Sequence, residues 1–327
     1  MIKKLSNKQL LFVLGVALFI YGVTTFIRNM KGENTFHTAL IPKIDSAQIN
    51  GMLIFPKKKG SKVISFTYNG KEWRVSQGDI NARCEPRSTG YVIQQLKQVS
   101  PDRLAANDVE HWKDFDVTDT GGTRVVLLHD KDTVVDVMVG RFSYITQERR
   151  GMTYVRLRDQ KEVYGVEGFL AMNIAEDFNA WRDRKILKGE PQAWDKISFM
   201  YPDSGFVVTH DTTGWKVDGS TPDSLARATI MTAMTQQNFG TFIDKFDTNK
   251  KPAAYSVKFE SKSEGTFIVK AYDNDSLTNH IITSSINPGS YMNGNNNNMF
   301  HALFVSKKIF FHHPEQPKAS QPKKVRK

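Results

Sequence analysis

His111, Asp114 and Asp116 fall within six positions of one another in "HWKDFDVTD", and an imidazole beside two carboxylates is raw material for a divalent-metal site. The spacing does not support one. The chain has no HxH, HExxH or paired CxxC arrangement, so these residues are expected to populate an exposed polar loop. His312-His313 before Pro314 reads as the start of the tail for the same reason. In "DTGGTR" the backbone N–H groups of Gly121 and Gly122 could cradle a phosphate, but two glycines between strand-like segments predict a hairpin turn. No G-x-S-x-G elbow is present, which leaves nucleophilic hydrolysis without a foothold. A glycosidase pair would need two carboxylates facing each other across a cleft, and spacing along the chain cannot place them. Cys84, the one cysteine, cannot close an internal disulfide and reads as a small buried hydrophobe. The expectation is a non-enzyme with no cofactor and no metal.

Two tryptophans are the stronger signal. "YNGKEWRV" ends on Trp73 and Val75, and "DTTGWKV" repeats the ending 142 residues later with Trp215 and Val217. An exposed Trp pair could stack on sugars or peptides, whereas a Trp alternating with Val on a hairpin strand anchors its unit's core. Recurrence before a helix in both places favours the core reading, and makes the four residues markers of a structural repeat. Weaker interaction candidates are Asn293, Asn295 and Asn296 in "NGNNNNMF", whose amides could meet a partner or glycan but also suit left-handed turns. Lys323, Lys324 and Arg326 in the proline-containing tail could be drawn to anionic headgroups or cell-surface polymers.

These residues must be positioned by a chain whose charge sits mainly at its ends. Residues 1–32 carry five cations and no acid, and residues 315–327 add a net +4, which leaves only +2 of the formal +11 for everything between. A nearly neutral body excludes a broad basic groove, so no nucleic acid is expected as a partner. "LLFVLGVALFIYGVTTFI", Leu10 to Ile27, has no charge and would span roughly 27 Å as a helix, close to the ~30 Å of a bilayer core. It predicts a transmembrane anchor, with 1–9 as a short cytoplasmic segment and 28–43 as a tether. Lys3, Lys4 and Lys8 precede the span and only Arg28 and Lys31 follow closely, so the positive-inside bias puts the bulk of the chain outside the cytoplasm. No A-x-A-like cleavage site follows the span, which favours an uncleaved anchor in a bacterial inner membrane with a periplasmic body.

The body predicts an α+β fold of two related repeats, 44–187 and 195–311, joined by a linker over 188–194 and followed by a disordered basic tail over 312–327. Each repeat opens on a hairpin. Asn69-Gly70 predicts a type I′ turn in the first, and Pro202-Asp203-Ser204-Gly205 a turn in the second. A helix follows in each. "TGYVIQQLKQV" puts Val92, Leu96 and Val99 on one face. In the second copy Thr221 is expected to cap, Pro222 to start the helix, and Leu225, Ala228, Met231 and Met234 to face inward up to Gly240. Antiparallel meanders come next, and then a closing helix, read in the first copy with Leu170, Ile174, Phe178 and Trp181 on one face. Arg184-Lys185-Ile186-Leu187 matches Lys307-Lys308-Ile309-Phe310 at an offset of 123, a net deletion of nineteen residues against the Trp offset of 142.

An N-terminal anchor, paired strands ending in Trp-basic-Val, a polar start to a helix, "VYGVEGFLAMNI" and a closing "WRDRKIL" resemble the family called domain of unknown function 4340 (DUF4340). The resemblance covers nearly all of the chain after the tether, with the second half more divergent, and its motifs are structural. It implies a bacterial envelope protein that accompanies extracytoplasmic parts of gliding-type ABC transport systems, in an accessory or scaffold role. It carries over no catalytic residues. The chain lacks a phosphate-binding Gly-rich loop with Lys-Ser/Thr, so a motor and pore would come from other chains. The leading expectation is therefore a non-catalytic, membrane-anchored accessory protein with envelope or transporter partners. The alternative is an extracytoplasmic ligand-binding protein or enzyme acting on cell-surface glycan.

Overall fold

A computed structural model describes residues 19, 21–22, 40–41, 45–57, 60–237, 240–248, 252–273, 280–295 and 298–312. Phe19, Tyr21 and Gly22 are helical, with both aromatic rings exposed. Among the described residues no helix is long and apolar enough to cross a membrane. Most of the anchor predicted over 10–27 and of the tether lies outside the described residues, as do the tail from 313 onward, Asn296, Lys323, Lys324 and Arg326.

The regular structure is mostly antiparallel strand with few helices, which is the α+β class the alternating segments predict. The first copy runs β1 (Gly51–Phe55), β2 (Ile64–Tyr68), β3 (Trp73–Gln77), β4 (Ile80–Arg83) and α1 (Ser88–Lys97). It continues through β5 (Pro101–Ala106), β6 (Thr123–His129), β7 (Asp132–Ile145), β8 (Arg150–Leu157), β9 (Val163–Glu167) and α2 (Leu170–Ile174). The second runs β10 (Lys196–Met200), β11 (Gly205–Asp211), β12 (Gly214–Val217) and α3 (Ser224–Thr235). Then come β13 (Tyr255–Ser261), β14 (Gly265–Asp273), β15 (His280–Ser284), β16 (Tyr291–Asn293) and α4 (Met299–Leu303).

Two compact units emerge from the contacts: Met1–Val63 with Gly90–Glu176, and Ile64–Thr89 with Asp177–Lys327. They cut across the sequence copies. In unit 1 the strands pair in the order β1–β6–β7–β8–β9–β5, around buried Val117, Met138, Met152, Tyr154 and Val163. Unit 2 holds a seven-stranded sheet in the order β12–β11–β10–β13–β14–β15–β16. Its core runs from Ile186 and the fully buried Trp194 through Phe199, Phe259 and Met299 to Phe310. Unit 2 also holds the β2–β3–β4 meander, because its side chains and backbone bond to later segments. Arg83 Nη1 donates to Ile286 O at 2.9 Å, Glu85 N to Trp181 O at 2.8 Å, and Phe66 meets Trp181 edge-on at 5.2 Å.

The ladders show the duplication directly. The order β1–β6–β7–β8–β9 is repeated by β10–β13–β14–β15–β16, and the β2–β3 hairpin by β11–β12. Strands β4 and β5 shrink in the second copy to single antiparallel bridges, Val217 with Ser220 and Phe242 with Met292 on β16, which accounts for part of its shorter length.

Several local expectations change. The β2–β3 connection is a four-residue loop, Tyr68 pairing with Trp73, and not a two-residue I′ turn. Asn69 Oδ1 accepts from Lys71 N and Glu72 N, both at 3.0 Å; only Gly70 takes a positive φ, at 90°, whereas type I′ needs two such residues. Helix α3 is capped by Asp223, whose Oδ1 accepts from Ala226 N at 2.8 Å, so Thr221 stays outside it. This later start turns the inward face to Ala226, Ile230, Met231 and Met234, and leaves Leu225 and Ala228 exposed. The helix ends at Thr235, ahead of Gly240. Leu170, Ile174, Phe178 and Trp181 are all buried, yet they do not lie on one helix: Asp177 is extended (φ −67°, ψ 155°) and a separate 3-10 turn holds Phe178–Ala180. Gly121 and Gly122 form a turn, with both N–H groups donating to Thr118 O at 3.1 Å. It leads out of a loop into β6, so there is no hairpin there.

Candidate functional site

Val75 and Val217 occupy equivalent, fully buried seats, while Trp73 and Trp215 are only half-buried, so the core reading of the tryptophans narrows to a place at its margin, where Trp215 packs against the unit 2 core. The register explains the difference. On β2 and β3 the inward cross-strand pair Phe66–Val75 is followed, two residues toward the loop, by Tyr68–Trp73. On β11 and β12 Val208–Val217 is followed in the same way by His210–Trp215. Side chains two apart share a face of the strand, so both Trp rings lie on the core face at the margin of the packed layer. There they meet their cross-strand neighbours, Trp73 tilted at 42° to Tyr68 with centroids 5.6 Å apart and Trp215 stacked on His210 at 4.2 Å with planes 4° apart. Arg227 from α3 stands over Trp215 at 5.5 Å. The repeated element is thus a ring pair of two aromatic side chains, whose second member no Trp motif in the sequence announces.

The asparagines are turn-makers. Asn293 Oδ1 accepts from Asn295 N at 3.0 Å, and its backbone N donates to Thr241 O at 2.9 Å within the end of β16. Asn295 is exposed, and Asn298 takes the left-handed conformation (φ 57°) that opens α4. The residues His111, Asp114 and Asp116 are not brought together. His111 Nδ1 bonds to Asp108 at 2.7 Å, which raises the imidazole pKa and lowers that of the carboxylate, while Asp116 pairs with Lys57 at 2.8 Å. No group of three or more His, Cys, Asp or Glu side chains is placed to hold a metal ion among the described residues. Cys84 is buried, 3.4 Å from Ser88 Oγ, and desolvation pushes its thiol up to about 11, so it is held as an inert thiol.

Unit 1 contains a cleft of about 630 Å³ that motif reading did not find. Its apolar surface comes from Phe55, Val63 and Met138, and its cations are Lys57, Arg124 and Arg158. Each of these cations is paired with one acid. Arg124 bonds Asp136 through Nε and Nη2 at 2.8 and 2.6 Å, Arg158 bonds Asp119 at 2.9 Å, and Lys57 bonds Asp116. The Arg124 guanidinium also lies over the Phe55 ring at 5.0 Å. Beneath the rim sits Arg156, with a wholly buried side chain. Its Nε donates to Val117 O, and its Nη1 to the carbonyls of Leu157, Arg158 and Gln160. Its Nη2 reaches Asp119 at 3.2 Å, and the guanidinium lies 3.7 Å from the Trp112 ring. Desolvation lowers the Arg156 pKa. A β-carbon on Gly122 would come within 2.7 Å of Asp116 O, so the wall there requires glycine. The one sequence signal for this arrangement was a charge closing the otherwise uncharged, buried run "GMTYVR". A second cleft, of about 580 Å³ in unit 2, is lined by Arg83, Lys185, Lys188, Glu190, Glu264 and Ile286.

This is a duplicated, mostly antiparallel α+β protein whose polar clusters are built of ion pairs and paired rings. The chain belongs to the family described as Domain of unknown function (DUF4340), which matches residues 73–258, more than half of its length. No curated protein and no solved structure matches it.

Proposed function

We propose that the chain is a non-catalytic accessory or scaffold protein of the bacterial envelope. Leu10 to Ile27 anchors it in the inner membrane, and its duplicated body meets other envelope or transport proteins outside the cytoplasm. The observation that carries this reading is the ring pair at the same register in both copies, Tyr68–Trp73 and His210–Trp215. A half-exposed aromatic pair offers a partner a large apolar contact at low side-chain entropy cost. Its repetition suits a surface that grips at two points. An uncharged 18-residue run ahead of a nearly neutral body supports the anchored placement, and the ABC-type transport link rests on the resemblance of the sequence. The test is site-specific photocrosslinking from positions 68 and 210 in intact cells, with protease shaving of spheroplasts. The reading requires adducts to envelope or transporter proteins and protease access to the body; adducts to none of them would overturn it.

The nearly coplanar stack of His210 on Trp215 favours a second reading, binding of cell-surface glycan, since a flat ring face suits a sugar ring. Quenching of the Trp215 emission by cell-wall oligosaccharides, lost in Trp215→Phe, would support that reading over the first.

A further inference from the structure

We propose that the cleft of unit 1 is a binding site for an amphipathic oxyanion, a phosphate or carboxylate carried on a small apolar group. This goes beyond the scaffold role and rests on different residues. The volume of about 630 Å³ lies within the range of small-ligand pockets, roughly 300–1,000 Å³. Its polar groups are cations with donors to spare. An Arg side chain has five N–H donors and a Lys three. Arg124 commits only Nε and Nη2 to Asp136, Arg158 commits Nη1 to Asp119, and Lys57 makes one bond to Asp116. Asp116 and Asp136, outside the cleft lining, orient Lys57 and Arg124, Asp119 on the lining orients Arg158, and the remaining donors are left for a ligand oxygen.

The acids themselves are poorly disposed to take a cation. Asp119, the one acid lining the cleft, is already shared between Arg156 and Arg158. Backbone N–H groups do not cradle the anion either, because Gly121 and Gly122 give theirs to Thr118 O. Recognition therefore falls to side chains, for which Arg is well suited with oxyanions. The apolar wall of Phe55, Val63 and Met138 calls for an apolar group on the same ligand. Such a ligand could be a membrane lipid headgroup with the start of its chains or a soluble organic phosphate or carboxylate.

The test is calorimetric titration of the full chain in a neutral detergent with phenyl phosphate, inorganic phosphate and benzyltrimethylammonium. Phenyl phosphate is expected to bind about tenfold or more tighter than inorganic phosphate, and the cation not at all. The double variant Lys57→Glu/Arg158→Glu is expected to lose phenyl phosphate by about tenfold or more, a change of about 1.4 kcal/mol. Val63→Glu, at an exposed rim position, is a second variant that leaves every ion pair intact and should weaken binding likewise. Equal affinity for wild type and both variants, binding of the cation as tight as that of phenyl phosphate, or no preference over inorganic phosphate would each overturn the proposal. Vesicles of phosphatidylglycerol that compete with phenyl phosphate would identify a lipid source, and vesicles that do not would identify a soluble one.

Discussion

Replacing Arg156 by Met tests how unit 1 is held together. The side chain is wholly buried, yet it serves four backbone carbonyls, Asp119 and the face of Trp112. Met fills a similar volume and donates nothing. A hydrogen bond from a charged donor is worth about 1.5–3 kcal/mol, although the three carbonyls that share the two N–H groups of Nη1 each gain less. Against this, the guanidinium no longer has to be desolvated, and Asp119, half exposed, keeps Arg158. The net is a loss of about 3–5 kcal/mol, with Arg156→Lys recovering roughly half because an ammonium has three donors and no planar fork. Hydrogen exchange followed by mass spectrometry on the full chain reads this unit by unit. Amides of β6 and β8 should exchange faster by about two to four orders of magnitude, at 1.4 kcal/mol per tenfold, while β13 and β14 in unit 2 keep their protection. A change below about 1 kcal/mol in β8 would refute the reasoning, because it would mean the carbonyls find water once the guanidinium is gone.

Three further outcomes follow from the same geometry. Val75→Ala and Val217→Ala each remove about two methylene equivalents from a fully buried seat and should cost about 2–3 kcal/mol in urea unfolding; Trp73→Ala should cost only about 1–2 kcal/mol, since half the ring is already exposed. Asp102 and Asp183 should bend the stability–pH curve in opposite directions. The Arg150 hydrogen bond holds Asp102 below the usual carboxylate range, so its contribution is present above the unfolded pKa and fades as pH falls through the folded one, by less than about 1 kcal/mol for a partly exposed pair. Burial raises the Asp183 pKa, so its ionised form opposes folding once pH passes the unfolded value; Asp183→Asn should therefore gain stability relative to wild type as pH rises from 4 to 7, and acid–base titrations of the melting temperature compare the two. Cys84, with its thiol pushed up to about 11, should resist iodoacetamide at pH 8 in the folded chain and alkylate fully in urea, a mass shift that labelling before unfolding would contradict.

Local order and repetition were set by the sequence alone. Alternation in "VKFES", turn chemistry at Pro202–Gly205, and the double Trp-basic-Val ending at an offset of 142 all follow from interactions within a few residues, so they are legible in one dimension. The burial of Val92 and Leu96 on α1, and of Val99 just past its end, was legible for the same reason. What sits on the inward face at the margin of the core was not. Trp73 and Val75 have the same strand parity, and only the extent of the packed layer makes one a half-exposed ring and the other a buried seat. Asp223 in place of Thr221 as the cap, and Asp177 as the break after α2, depended on a backbone angle that neighbours in space select. The cleft of unit 1 needed tertiary structure most of all. Phe55, Asp119, Arg124 and Arg158 come from separate stretches of chain, and nothing in a linear pattern records that an arginine at the end of a buried strand finds its acceptors in Val117 O, Asp119 and the carbonyls of the turn that follows it.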